Sequence, residues 1–343
     1  MLKSAVLGGL ALFAAGCATL SWYGQALHGQ LDLLSRREDI AELLARPETP
    51  DALRQRLRTV LDVRRFAQEQ LGLPESRSYR TYADLERDAA VWNVIATPRY
   101  SMSPERWCYP LVGCLAYRGY FRRERAIEHA RRLRADGFDV AVLPAVAYST
   151  LGWFADPVVS TMLKWDDADL AGFIFHELTH EKLFLPGATA FNEAYATVVE
   201  REGIRRWLES EEREGELAVW ENAQRLLAAR VEVLLETRAA LVRLFASTRD
   251  ESALAEGKRR QYRLLSERLE GLARAFRTDR LDGWIEADLN NAHLAMVATY
   301  EQGVAAFERL LADCDRDMAC FHATVARISR GDEQDREEFL LAR

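Results

Sequence analysis

The run His176-Glu177-Leu178-Thr179-His180 constrains this chain more than any other stretch. Two histidines four residues apart meet on one face only when the segment is an α-helix, and there both imidazoles can hold one Zn2+. Glu177 lies about 100° further round such a helix, where it reaches a water on the open side of the metal and is the candidate general base. A catalytic zinc takes a third protein ligand and leaves its fourth position to water. The chain must therefore turn back after the helix, and Pro186-Gly187 is turn punctuation between two apolar, helix-like stretches. Glu193 on the returning helix is the expected third ligand, giving a set of His176, His180 and Glu193. Glu200, seven residues on and nearly in phase, is the expected acceptor for the far N–H of a ligand histidine, and Asn192 is a further supporting candidate. The alternative is a buried helix whose histidines and glutamate merely satisfy one another, which is costly without full pairing.

The amino-terminal stretch reads as an address. Lys3 precedes an apolar run from Ala5 to Ala15, and the small residues Ala14-Ala15-Gly16 stand before Cys17. That run is too short for a mature membrane span. It resembles a bacterial lipoprotein signal, with residues 1–16 removed and Cys17 lipidated as a membrane anchor; Ala18 after it fits outer-membrane sorting. The open alternative is an ordinary secretory signal. Export agrees with the other cysteines, which fall into two local pairs, Cys108/Cys114 and Cys314/Cys320, each expected to close a disulfide. A net charge of −7 and the lack of a basic, aromatic-interleaved stripe exclude nucleic acid as a partner.

With 343 residues, 49% of them hydrophobic, the chain can bury one large core or two modest ones. Its periodicities predict an α+β, mainly helical fold. Helices are expected over Ser21 to Leu44, Asp51 to Leu71 and Glu124 to Asp136, with short β-prone runs between Tyr79 and Tyr120 and a strand from Phe138 to Leu143. Arg213 to Phe276 reads as two long helices folded into a hairpin, broken near Ser247 to Ser252, with Leu227, Val231, Leu234 and Leu241 on one stripe and Leu265, Leu269 and Leu272 on the other. A further helix is expected from Leu289 to Leu311, and the charged last dozen residues read as a frayed tail. The expected organisation is a signal at 1–16, a unit of helices, small sheet and metal core at 17–212, the hairpin at 213–280, and helices packing on the core at 281–343. Tyr148 to Pro157 is a candidate edge strand beside the metal. Thr150 and Gly152 offer it backbone hydrogen bonds, and Tyr148 a phenol. Asn290 and Asn291 are either helix caps or peptide-binding groups.

Taken together, Tyr23 to Gln25, Gly29-Gln30, Leu33-Leu34, Trp107 to Cys114, Tyr117 to Tyr120, Tyr148 to Pro157, His176 to Glu193 and Leu289 to Asn291 resemble a family of Gram-negative lipoproteins named as zinc aminopeptidases. The resemblance implies export, lipid anchoring and a gluzincin-like, zincin-type core of two helices, one bearing the histidines and the next the glutamate. His176, His180 and Glu193 fall on its metal ligands and Glu177 on its base. The implied activity is hydrolysis of peptides in the periplasm: zinc lowers the pKa of a water, and Glu177 takes its proton and returns one to the leaving amine. The alternative function is a lipoprotein with a structural or vestigial metal site that binds a periplasmic partner.

Overall fold

The computed structural model describes residues 22–109, 113–147, 149–150, 155–295, 297 and 303–341. The expected signal at 1–16, the expected lipidation site Cys17, and Tyr148 and Gly152 lie outside the described residues.

A helix at residues 22–35 (α1) opens the described chain and gives way to strand β1, Arg37–Asp39, and helix α2, Ile40–Ala45. The single helix expected to Leu44 is thus two. The break falls at Asp39, whose carboxylate accepts from the amides of Ala41 and Glu42 and caps α2. Helix α3, Asp51–Glu69, follows, and then β2, Thr81–Ala83, which pairs antiparallel with β1.

Strand β3, Val91–Pro98, is the centre of a second sheet, between β6, Arg118–Tyr120, and β7, Phe138–Ala145, both antiparallel to it. Alternation sets its faces. Val94, Ala96 and Val140 pack on Ala126 and Ala130 of helix α4, Arg123–Ala135, while Ile95 and Ala141 face Ala292 and Tyr117 on the other side. Gly137, with φ +87°, supplies the turn from α4 into β7. Strands β4, Trp107–Tyr109, and β5, Gly113–Leu115, form a separate ribbon in which Cys108 lies opposite Cys114 and is bonded to it. Among the described residues, the stretch between Ser149 and His176 supplies one strand, β8, Val158–Val159, buried and parallel to β2. The edge strand expected over Tyr148 to Pro157 falls partly outside the described residues; residues 149–150 and 155–157 carry no strand, and β8 just beyond them stands at the edge of the β1-β2-β8 sheet.

The largest core gathers Leu57, Val60 and Val63 of α3, Ile174, Phe175 and Leu178 of helix α5 (Asp167–Lys182), and Tyr195, Val198 and Val199 of helix α6 (Thr189–Ser210). Helices α7, Glu214–Ser247, and α8, Glu251–Phe276, form the hairpin, with a cluster of their own: Val233, Leu234, Leu241, Leu265 and Leu269, joined by Met102 and Leu294. In the first half of α7 the buried positions are Leu226 and Val233, next to the half-buried Leu227 and Val231 of the expected stripe.

Short helices α9, Asp282–Ile285, and α10, Asn291–Ala295, precede α11, Val304–Asp313, α12, Met318–Ile328, and α13, Glu333–Leu341. The helix expected over Leu289 to Leu311 is interrupted: α11 starts after Gly303, whose φ of +92° admits a glycine there, while a Cβ would meet Leu340 Cδ2 at 2.3 Å. The expected frayed tail is instead α13. Phe339 stacks edge-on against Phe307 at 5.0 Å, and that apolar contact outweighs the charged composition of the segment. The Cys314–Cys320 disulfide ties the end of α11 to α12. The fold is α+β and mainly helical, and among the described residues no helix is long and apolar enough to cross a membrane.

Candidate metal centre

Helix α5 starts at Asp166, whose carboxylate accepts from the Asp169 amide at 2.8 Å, with Asp167 and Asp169 in the favourable first turn. Asp167 is held from outside by Arg56 and by Arg213, the latter at 3.0 Å. Two glycines let α5 and α6 approach closely. A Cβ on Gly172 would stand 2.6 Å from Ile204 Cδ1 and 3.3 Å from Glu200 Cγ; one on Gly203 would stand 2.6 Å from Phe175 Cδ2. Between the helices Gly187 takes φ +85°. Asn192 closes this turn, accepting from the Leu185 amide at 2.9 Å and donating to the Leu185 carbonyl at 2.8 Å. Its carboxamide is used up on the loop, so the supporting role expected for it at a ligand histidine is corrected to one at the helix connection.

The loop thereby brings Glu193 over the histidine face of α5. Its Oε2 lies 3.3 Å from His176 Nε2 and its Oε1 3.6 Å from His180 Nε2, and one donor atom from each of the three residues lies within 4.8 Å of the others. The imidazoles stand edge to face with centroids 4.8 Å apart. Glu200 Oε2 lies 2.9 Å from His176 Nδ1. It occupies the far nitrogen of the ring and so leaves Nε2 to point at the cluster. The centre is reachable from solvent: the His176 and Glu193 side chains are 17% and 20% exposed, while that of His180 is 4% exposed.

The electrostatics follow from this crowding. Burial pushes the His176 imidazolium down, but hydrogen bonds to Glu193 and Glu200 outweigh it and hold the ring protonated up to about 10. Burial also raises the Glu193 carboxyl, yet the hydrogen bond and charge of His176 keep it below its ordinary value. His180 is pushed down to about 4, by burial first and by the charge on His176 second. It stays neutral at pH 7 and keeps a lone pair for a cation. Tetrahedral ligands about 2.0–2.1 Å from zinc stand about 3.3–3.5 Å apart. The His–Glu separations are close to that spacing, 3.3 Å to one Glu193 oxygen and 3.6 Å to the other, so this donor set is compatible with a bound metal ion.

Burial raises the Glu177 carboxyl to about 7, against the opposing charge of His176 and with the like charges of Glu193 and Asp156 adding to it. The Ser149 hydroxyl lies within hydrogen-bonding reach of this carboxylate and of the buried Tyr79 phenol. Ser149 is fixed in turn by Asp156, 3% exposed, whose carboxylate also accepts from Thr150 N at 2.7 Å and Thr150 Oγ1 at 2.8 Å. The backbone amide and hydroxyl of Thr150 thus serve Asp156, so the amide expected to bind a peptide is engaged within the fold. Ser149, Asp156 and Tyr79 were not legible as site residues. Their only sequence signal is a Ser-Thr pair followed by Asp-Pro, and long-range folding decides what those groups face. Half-buried Tyr117 lies near enough for its phenol to feel the Glu193 charge, which adds to the effect of burial in raising it.

Asn290 and Asn291 lie elsewhere. Asn290 Oδ1 accepts from the Ala292 amide at 3.1 Å at the start of α10. Fully buried Asn291 accepts from Tyr262 at 2.8 Å and donates to the carbonyls of Arg99 and Ser101 at 3.1 and 3.0 Å. No group of Asn291 is left for a peptide, and its peptide-binding reading is corrected to a structural one.

Among models of protein families, the one described as "Putative aminopeptidase" matches residues 21–340. No curated protein and no solved structure gives a match.

Proposed function

Since the chain belongs to the "Putative aminopeptidase" family over residues 21–340, we propose that it is a zinc-dependent metallopeptidase whose α5/α6 pair is a zincin-like core. The observation that carries this reading is the convergence of His176, His180 and Glu193 within 4.8 Å, with the buried carboxyl of Glu177 close enough to feel the charges of His176 and Glu193. These three residues would hold one Zn2+, which when bound supplies polarisation of a carbonyl oxygen and acidification of a water.

Each protein group has a definable task. Glu200 accepts from His176 Nδ1 and so presents Nε2 with its lone pair outward. Glu177, raised to about 7 by burial, is matched to neutral pH both for taking a proton from water onto its carboxylate and for delivering it to the leaving amine nitrogen. Ser149 holds that carboxylate in place, and Asp156 holds Ser149. Release of amino-terminal residues is the mode that the family description carries. The signal-like residues before Cys17, together with the Cys108–Cys114 and Cys314–Cys320 disulfides, support export to the periplasm and anchoring through lipid on Cys17 in the outer membrane.

The test is metal content and hydrolysis of a mixed peptide library by soluble protein starting after Cys17. One equivalent of zinc, single residues released from peptide amino termini, loss of release on chelation and its return with zinc are the expected results. Release of internal fragments would replace the aminopeptidase with an endopeptidase. Zinc bound without any cleavage would favour a metal-bearing binding protein.

A further inference from the structure

Between the hairpin and the end of the β3/β7 sheet lies a cleft of about 830 Å3, to which none of His176, Glu177, His180, Glu193 and Glu200 contributes. Leu289 and Asn290 line it, while Asn291 is buried behind them. Its cations are Arg99, Arg134, Lys258, Arg259 and Arg263, against the carboxylates Asp139, Glu267 and Asp288. That is a local excess of positive charge in a chain whose net charge is −7.

The floor is satisfied internally. Half-buried Lys258 binds Asp139 and the Arg99 carbonyl, and Asp139 also accepts from the Asn291 amide at 3.0 Å. Burial lowers the Lys258 ammonium and its Asp139 partner opposes that, so this pair contributes little net field to the mouth. The rim is different. Arg99, Arg134, Arg259 and Arg263 are exposed, and among the described residues none has a carboxylate within ion-pair distance. Arg134 donates only to the Val140 carbonyl, and Arg99 lies over the Tyr100 ring.

The placement of these guanidinium groups defines the ligand. Arg259 and Arg263 are one turn apart on α8, while Arg99 and Arg134 come from the facing sheet and α4. Charges on two walls suit a ligand with several separated anionic groups better than a single phosphate, which convergent donors would grip at one point. Between them the half-buried Tyr100, Phe138 and Leu289 offer apolar surface. We propose that this cleft binds an acidic peptide segment, its carboxylates paired with the rim arginines and its interleaved apolar side chains on the aromatic lining. Neither the metal nor peptidase activity enters this proposal.

Fluorescence polarisation with a labelled peptide of alternating leucine and glutamate, blocked at both ends, tests it on the full mature chain in the presence of chelator. The leucine/glutamine counterpart, inorganic phosphate and a single-stranded oligonucleotide are the other probes. Saturable binding of the acidic peptide, at least about tenfold tighter than the amide counterpart and weakened by added salt, is expected. The double variant Arg259→Glu/Arg263→Glu, on an exposed helix face, should lose at least about tenfold in affinity with its circular dichroism unchanged, and Arg259→Lys/Arg263→Lys should retain part of it. Equal binding of the acidic and amide peptides, or full affinity in the charge-reversed variant, would overturn the site. Tighter binding of phosphate or of the oligonucleotide than of the acidic peptide would overturn the assigned ligand.

Discussion

Two successive helix pairs, α5 with α6 and α7 with α8, are built on opposite plans. The hairpin α7/α8 buries a seam of leucine and valine and turns its charges to water; its one buried polar side chain in α7, Thr237, is satisfied by its own helix through the Val233 carbonyl. The α5/α6 pair is covered on nearly every side and has no such seam. It takes His180, Thr179, Asn192 and Glu202 inside, each 5% exposed or less. Buried polar groups need partners, and tracing those partners separates their uses. Thr179 bonds the Phe175 carbonyl, Asn192 the loop, and Glu202 three arginines, Arg205, Arg206 and Arg316. The histidines alone have partners whose combined charge calls for a cation. An amphipathic pair explains itself by burial of its stripe; a pair buried all round is explained only by what its polar groups hold.

That contrast can be broken most severely at the ligands. His180→Ala should abolish stoichiometric zinc and with it peptide release, whereas Leu241→Ala in the hairpin should keep both and lower unfolding free energy by about 2–5 kcal/mol, read by metal analysis beside urea denaturation. Glu200→Gln keeps a side chain of the same shape but removes the negative acceptor from His176 Nδ1. Zinc affinity, measured by competition with a chromogenic chelator, should fall about 10- to 100-fold. Glycine sharpens the comparison with opposite signs. Gly172→Ala puts a Cβ 2.6 Å from Ile204 Cδ1 and should destabilise by about 1–3 kcal/mol, while Gly271→Ala in α8 meets nothing within 4 Å and should stabilise by about 0.5–1 kcal/mol in thermal melts.

The smallest effect is one of pH. In the metal-free centre burial disfavours the His176 charge, but Glu193 and Glu200 raise its pKa from the ordinary 6.5 to about 10. A raised pKa stabilises the fold while the proton is held; that contribution is complete below 6.5 and disappears as pH climbs towards 10. Zinc competes with this proton. The difference in melting temperature between zinc-loaded and chelated protein should therefore widen between pH 6.5 and 9, and a constant difference would show that no proton held on His176 is displaced by zinc in that range.

The sequence made local geometry legible and left non-local geometry hidden. His176, His180 and Glu193 were readable because a four-residue spacing, a Pro-Gly turn and a returning helix are all short-range facts. The hairpin was readable for the same reason. Asn192 looked like a neighbour of the metal because it adjoins Glu193, but adjacent helical residues point about 100° apart, and this one faces the loop. Strand β8 pairs with β2 in parallel from far along the chain, and no local pattern announces that. Helix α13 was hidden because nine charged-rich residues have little helix stability alone and depend on Phe339 finding Phe307. The arginine cleft draws on four separate elements and becomes visible only when they are folded together.

The most direct test of the central claim is Glu177→Gln, assayed for zinc content and peptide release beside the parent protein. The account predicts one equivalent of zinc in both and a loss of turnover of about 10²- to 10⁴-fold in the variant. Zinc in both with undiminished peptide release from the variant would contradict it, since the carboxylate beside the metal would then have no part in the chemistry.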